Sequence, residues 1–132
     1  MKYLLDTHYL IWALTDTKKI SKKIVNLITD PENEIVVSAI SFWEISLKSS
    51  LGKLRITGFS PEDLPSACLQ MGFTIIPISA EDASKYHHLS ASHHRDPFDR
   101  MLIWQAINNS YTLISADKTI RKYINEGLLI YS

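Results

Sequence analysis

The sequence predicts a three-layer α/β/α sandwich built on a central, mainly parallel sheet. Short apolar runs rich in β-branched residues, such as EIVVS (34–38) and YTLIS (111–115), alternate with helical patterns along the chain. Strands that alternate with helices pair in parallel through crossovers. Those runs are apolar on both faces, as a sheet covered on both sides requires. No repeat, low-complexity tract or linker interrupts the 132 residues, so 1–132 is read as a single domain, long enough to bury a real core.

The elements follow in order. KYLL (2–5) reads as the first strand and His8–Leu14 as a helix. Ser21 caps a second helix to Ile28, with Asp30-Pro31 beyond its end. EIVVS is the second strand. Ile40–Leu51 is a helix stopped by Gly52, with Ile40, Trp43, Leu47 and Leu51 marking its apolar stripe. Residues 61–72 read as a helix limited by Pro65. FTIIPI (73–78) is a strand that Pro77 assigns to an edge or a strand end. Ala80–Leu89 is helical, a helix opens at DPFDR and runs to about Asn108, and YTLIS is the next strand. Thr119–Asn125 is a short helix, and LLIY (128–131) the last strand.

Acidic and basic residues balance at 14 each, so no global field attracts a polyanion; a local patch or a bound cation must do it. No apolar run approaches the ~20 residues of a membrane span. The start MKYLLDTHYLIWAL carries Asp6 inside its apolar stretch and lacks a small-residue cleavage site, so it reads as strand and helix rather than a signal peptide. The lone Cys68 excludes an internal disulfide and suits a reducing, cytoplasmic setting.

Ligands of such sheets bind beyond the carboxyl ends of the strands, where strand order reverses. Four acids fall at that edge by topology. Asp6 directly follows the first strand, and Asp117 follows YTLIS by two residues. Glu44 lies near the start of the helix after EIVVS, four residues from Ile40. Asp99 lies in the first turn of the helix before YTLIS, where the stripe of Leu102, Ile103, Ala106 and Ile107 extends back to it. Each has a plainer reading: a turn residue for Asp6, an ion pair with Lys48 on a solvated face for Glu44, helix-dipole complementation for Asp99, a helix cap for Asp117. Asp96, immediately before Pro97, is the ordinary cap of its helix. Inward-facing carboxylates want a counter-ion, and hard oxygen donors with no cysteine set suit Mg²⁺ or Mn²⁺. The chemistry that follows is phosphodiester hydrolysis. A zinc site at His87-His88 or His93-His94 is disfavoured, because adjacent helical histidines diverge by about 100°. No glycine-rich phosphate loop, Gly-x-Ser-x-Gly or CxxC pair is present.

At these residues the sequence resembles the PIN-domain ribonucleases, especially the VapC-type toxins of toxin–antitoxin pairs, over nearly the whole chain. YLLDTH looks like the family's first-strand aspartate motif. VSAISFWEISLKSSLGKL is similar to its second motif, and DPFDRMLIWQA followed by YTLISAD looks like its third and fourth. The resemblance implies that Asp6, Glu44, Asp99 and Asp117 hold the metal and carry catalysis. Asp96, Thr7 and Ser115 stand beside them as supporting residues, and Arg95, Arg100 and Lys48 are candidate RNA contacts. It further implies an endoribonuclease using Mg²⁺ or Mn²⁺, a homodimer, and inhibition by a cognate antitoxin. His8 and Trp104 depart from the family pattern, which commonly has a small residue at each place. A DNA nuclease on the same metal chemistry, and a non-cutting RNA- or partner-binding module, are the competing readings.

Overall fold

The computed structural model describes residues 1–90 and 96–131. Five strands form one wholly parallel sheet: β1 (Lys2–Leu5), β2 (Glu34–Ser38), β3 (Thr74–Ile76), β4 (Thr112–Ile114) and β5 (Leu129–Tyr131). Their order is β3-β2-β1-β4-β5. The chain winds outward from β1 to β3, then returns to the other side of β1 for β4. Strand order therefore reverses between β1 and β4, where Leu4 faces Leu113 and Leu5 faces Ile114.

Strand alternation divides the core in two. Tyr3, Leu5, Ile35, Val37 and Ile114 pack on one face with Leu10 and Ala13 of α1 (Thr7–Thr15), Ile24, Leu27 and Ile28 of α2 (Lys22–Thr29), and Leu64 and Cys68 of α4 (Leu64–Gln70). Leu4, Val36 and Leu113 pack on the other with Leu102, Ile103 and Ala106 of α6 (Pro97–Asn109) and with Ile120 and Tyr123. Period-2 side chains on a sheet covered by helices on both sides make the expected three-layer sandwich. Among the described residues, no helix is long and apolar enough to cross a membrane.

Several element expectations are corrected. Pro65 does not limit its helix; it stands in the first turn of α4, where proline is tolerated because that N–H has no helical partner. Residues 61–63 form a 3₁₀ turn ahead of it. The strand at FTIIPI is only Thr74–Ile76; it ends before Pro77, at the sheet edge, as that proline requires. The helix α5 (Ala80–Lys85) gives way to a 3₁₀ turn at Tyr86–His88. The last helical stretch, Lys118–Glu126, is also 3₁₀ and ends at Gly127 with φ +98°. There glycine supplies the left-handed conformation at no steric cost.

The largest correction concerns α3 (Ala39–Ser50). Of the stripe Ile40, Trp43, Leu47 and Leu51, only Ile40 is buried; the other three are 58%, 37% and 58% exposed. The face that turns inward is instead Ile40, Ser41, Glu44 and Ile45. The helix is rotated by about one residue because polar Ser41 and Glu44 find hydrogen-bonding partners inside.

Candidate active site

Asp6 ends β1 and begins α1. Its own N–H donates to the carbonyl of Ile114 at 3.0 Å, tying the end of β1 to the end of β4. Its carboxylate caps α1 by accepting the Tyr9 N–H at 2.8 Å, and accepts the Ala116 N–H at 3.0 Å. The side chain is 6% exposed, and among the described residues no lysine or arginine forms an ion pair with it. Burial therefore raises its pKa above the ordinary aspartate value, more than the hydrogen bonds from Tyr9, the Ser115 hydroxyl and Ala116 lower it.

Asp6, Asp99 and Asp117 line one cleft of about 350 Å³, floored by Leu102, Ile103 and Ile120 and flanked by His8 and Trp12. Asp99 projects from the first turn of α6 and is half-buried. Asp117 does two things: it lines the cleft, and it caps the following 3₁₀ stretch through the Thr119 N–H at 2.9 Å. Ser115 lines the same cleft and accepts the Asp117 N–H at 3.1 Å. Asp96 is the cap of α6, accepting the N–H groups of Phe98 at 2.8 Å and Asp99 at 3.4 Å.

Glu44 stands apart from that cleft wall. It is buried at 4% exposure on the inward face of α3. The Thr7 hydroxyl donates to its Oε1 at 2.7 Å and lies 3.0 Å from the Ser41 hydroxyl. Thr7 thus links the residue next to Asp6 to the second acid. The Lys48 ammonium meets Glu44 Oε2 at 2.5 Å. The pair forms, but on a buried carboxylate rather than on the solvated face that the plainer reading supposed. The hydrogen bond to Glu44 raises the Lys48 pKa, and the fields of Glu44, Asp96 and Asp99 add to it. Lys48 is therefore the cation that the fold itself supplies to this end of the acid set.

Among the described residues, no three His, Cys, Asp or Glu side chains converge closely enough to form a metal-holding group. The acids share a rim rather than a point. The donor chemistry still suits magnesium, which keeps most of its waters and is commonly held by one or two carboxylates. Buried Asp6, with no ion-pair partner among the described residues, is the strongest claimant for such an ion.

Two of the candidate RNA contacts are placed. Lys48 is engaged with Glu44. Arg100 bonds the Tyr86 hydroxyl at 2.6 Å, the Tyr123 hydroxyl at 3.2 Å and the Leu89 carbonyl at 3.0 Å, so its guanidinium ties α6 to its surroundings. Arg95, His93 and His94 lie outside the described residues. His87 and His88 are exposed neighbours on a 3₁₀ turn, their rings 4.4 Å apart. Two residues escaped the sequence reading. His8 lines the cleft beside Trp12, and the spacing of four between them on the helix that starts at Asp6 was the signal for it. The other is Asp82, at 3% exposure, whose carboxylate accepts the side-chain amides of Gln105 (2.9 Å), Asn108 (2.9 Å) and Asn109 (3.2 Å).

A model of the PIN domain matches residues 3–125, and the chain belongs to that family. Among solved structures, the chain is similar to VapBC2 from Rickettsia felis bound to a DNA fragment from its promoter, at 20% identity and a TM-score of 0.70 over 99% of this chain and 98% of that one. It is similar to VapBC-1 from nontypeable Haemophilus influenzae, at 17% identity and a TM-score of 0.68 over 100% and 98%. It is also similar to FitAcB from Neisseria gonorrhoeae, at 19% identity and a TM-score of 0.68 over 98% and 96%. At these identities the likeness establishes the shared fold. No curated protein sequence gives a significant match.

Proposed function

We propose that the protein is a Mg²⁺- or Mn²⁺-dependent endoribonuclease, the toxin of a toxin–antitoxin pair. The observation that carries this reading is the cleft at the reversal of strand order, lined by Asp6, Asp99 and Asp117. Asp6, Asp99 and Asp117 would hold the ion, with Glu44 as the fourth acid. When bound, the ion supplies neutralisation of phosphate charge and activation of water. The chain's own residues prepare the place. Tyr9, Ala116 and Ser115 fix both oxygens of Asp6, and Thr7 orients Glu44. His8 and Trp12 line one side of the cleft.

The toxin role is supported by the family and by the likeness to toxin–antitoxin complexes. In this reading the protein is a homodimer, and the antitoxin is a small protein whose tail directs an arginine at the acids. An arginine is the natural competitor there, since its fork meets carboxylates bidentately. The exposed Trp43, Leu47 and Leu51 offer apolar surface to either partner. Co-expression with the product of the neighbouring small gene, then with its tail-arginine→alanine variant, tests the pairing: undiminished inhibition by the variant refutes the arginine, and failure to associate refutes the pair.

A second reading, a non-cutting module that binds RNA or a partner, is favoured by one observation, the Lys48 ammonium seated on Glu44. Purified protein with labelled RNA and DNA, in Mn²⁺ or in EDTA, separates the readings. RNA cut only with metal is the expected result. Cutting of DNA alone would point to a DNA nuclease, and cutting of neither to the binding module.

A further inference from the structure

The acid cleft continues past His8 and Trp12. Those two residues, with ring centroids 5.8 Å apart, also line a second cleft of about 370 Å³ whose far side carries Lys19 and Arg55. The local sequence dictates that both cations point outward. Leu54 and Ile56 pack against the core, so Arg55 between them is left exposed. Ile20 is buried, and Lys19 beside it closes the 3₁₀ turn Thr17–Lys19. Among the described residues neither cation forms an ion pair. The acid in this second cleft is Asp16, whose carboxylate caps that turn through the Lys18 N–H at 3.2 Å.

An acid-lined cleft on a protein of zero net charge repels a polyanion unless cations grip it nearby. We infer that the two clefts form one track for a single polynucleotide strand. The phosphodiester to be cut lies at Asp6, Asp99 and Asp117, a neighbouring base lies against His8 and Trp12, and neighbouring phosphates lie on Lys19 and Arg55. A cationic groove paired with aromatic rings is the usual platform for single strands. This inference rests on the nuclease reading for the acid cleft but assigns residues which that reading does not use.

The test is binding of a fluorescein-labelled 12-nucleotide single-stranded RNA in EDTA, by anisotropy across a NaCl titration. The K19A/R55A variant should bind about tenfold more weakly, and its log–log salt slope should flatten by roughly 1.4, at about 0.7 per lost phosphate contact. R55K should keep the slope. K2A, at the opposite end of the sheet, should behave as wild type. In Mn²⁺, K19A/R55A should raise KM and leave kcat near wild type, and an unchanged melting temperature should show that the variant is folded. Equal binding of a DNA strand of the same sequence supports the track and shows that it reads backbone rather than sugar. If wild type binds and cuts while K19A/R55A matches it in affinity and slope, the track is overturned and the nuclease reading stands. If binding depends on Lys19 and Arg55 but nothing is cut, the nuclease reading falls and with it the scissile position at the acids, while the grip of Lys19 and Arg55 on the strand stands. A wild type that binds an acidic peptide through these cations, but no polynucleotide, overturns the track in favour of a protein partner.

Discussion

Asp6 and Asp82 are both aspartates at a helix start, and both are buried, at 6% and 3% exposure. Their environments push them in opposite directions. Burial wins at Asp6 and raises its pKa. At Asp82 burial also pushes upward, but the amides of Gln105, Asn108 and Asn109 and the N–H of Ser79 outweigh it, and the pKa falls below the ordinary value. Asp82 is a completed structure. It closes a capping box on α5 and holds α5 to α6, and the Trp104 indole adds a bond to its carbonyl at 2.9 Å. Gln105 extends the network to the Pro77 carbonyl at 3.1 Å and the Ser38 hydroxyl at 2.5 Å. Asp6 keeps its raised pKa at the wall of a cleft. The difference separates a carboxylate whose charge the fold holds from one whose charge burial disfavours.

The comparison breaks most readily at Asp82. The groups around its carboxylate donate to it, so Asp82→Asn sets an amide against amides and leaves the buried Gln105 amide and the half-buried Asn108 amide short of an acceptor. At about 1–3 kcal/mol for an unmet buried group, a loss of about 3 kcal/mol is expected. For a domain of this size that lowers the melting temperature by about 10 °C. Urea denaturation measures it, and a variant within about 0.5 kcal/mol of wild type would show that the network is dispensable. The Asp6→Asn variant should change metal-free stability by no more than about 1 kcal/mol, because relief of a buried charge offsets the loss of one accepted N–H.

Mn²⁺ sharpens the contrast. An ion that binds only the native state adds RT ln(1 + [L]/Kd), about 2.7 kcal/mol at a hundredfold excess over Kd. Wild-type melting temperature should rise accordingly in Mn²⁺. Asp6→Asn should lose most of that rise along with metal-dependent cleavage. A melting curve indifferent to millimolar Mn²⁺ would remove Asp6 as a cation site.

The sequence disclosed one of these carboxylates and concealed the other, for a physical reason. Asp6 follows the apolar run Tyr3-Leu4-Leu5, and a residue at the carboxyl end of a parallel strand lies on the ligand edge whatever the rest of the chain does. The alternation of strands and helices is equally local, which is why the sheet was readable. Asp82 looks like a surface capping acid, since its defining partners lie 23 to 27 residues away along the chain. Phase on α3 was legible in part. Its spacing of four from Ile40 placed Glu44 inward, as found, but Trp43, Leu47 and Leu51, the more hydrophobic residues, lie outside, because Thr7 and Ser41 form a polar contact with Glu44 that local periodicity does not register.

Acid titration should show a smaller effect with a definite sign. The folded pKa of Asp82 is depressed, so its contribution is fully present above the unfolded-state value, about 3.9, and is lost as pH falls through the folded value. Wild-type stability should therefore drop below about pH 4 more steeply than that of Asp82→Asn, which has no proton to take up at this position. Parallel acid limbs in urea melts from pH 5 to pH 2 would mean that the amide cradle does not hold the charge.

The smallest effect tests the same distinction within a single turn of α6. Asp96 and Asp99 are three residues apart; one accepts the backbone N–H groups that open the helix, and the other lines the cleft. Asparagine caps a helix about as well as aspartate, so Asp96→Asn should cost a few tenths of a kcal/mol and retain most cleavage. Asp99→Asn removes a charge at nearly constant volume and should leave the fold intact, yet lose metal-dependent cleavage and much of the Mn²⁺ shift. The pair is read by single-turnover cleavage and Mn²⁺ melts run side by side. Equal and total loss of cleavage in both would move Asp96 from the helix cap into the metal set, where the field that it already exerts on Lys48 would become part of the site.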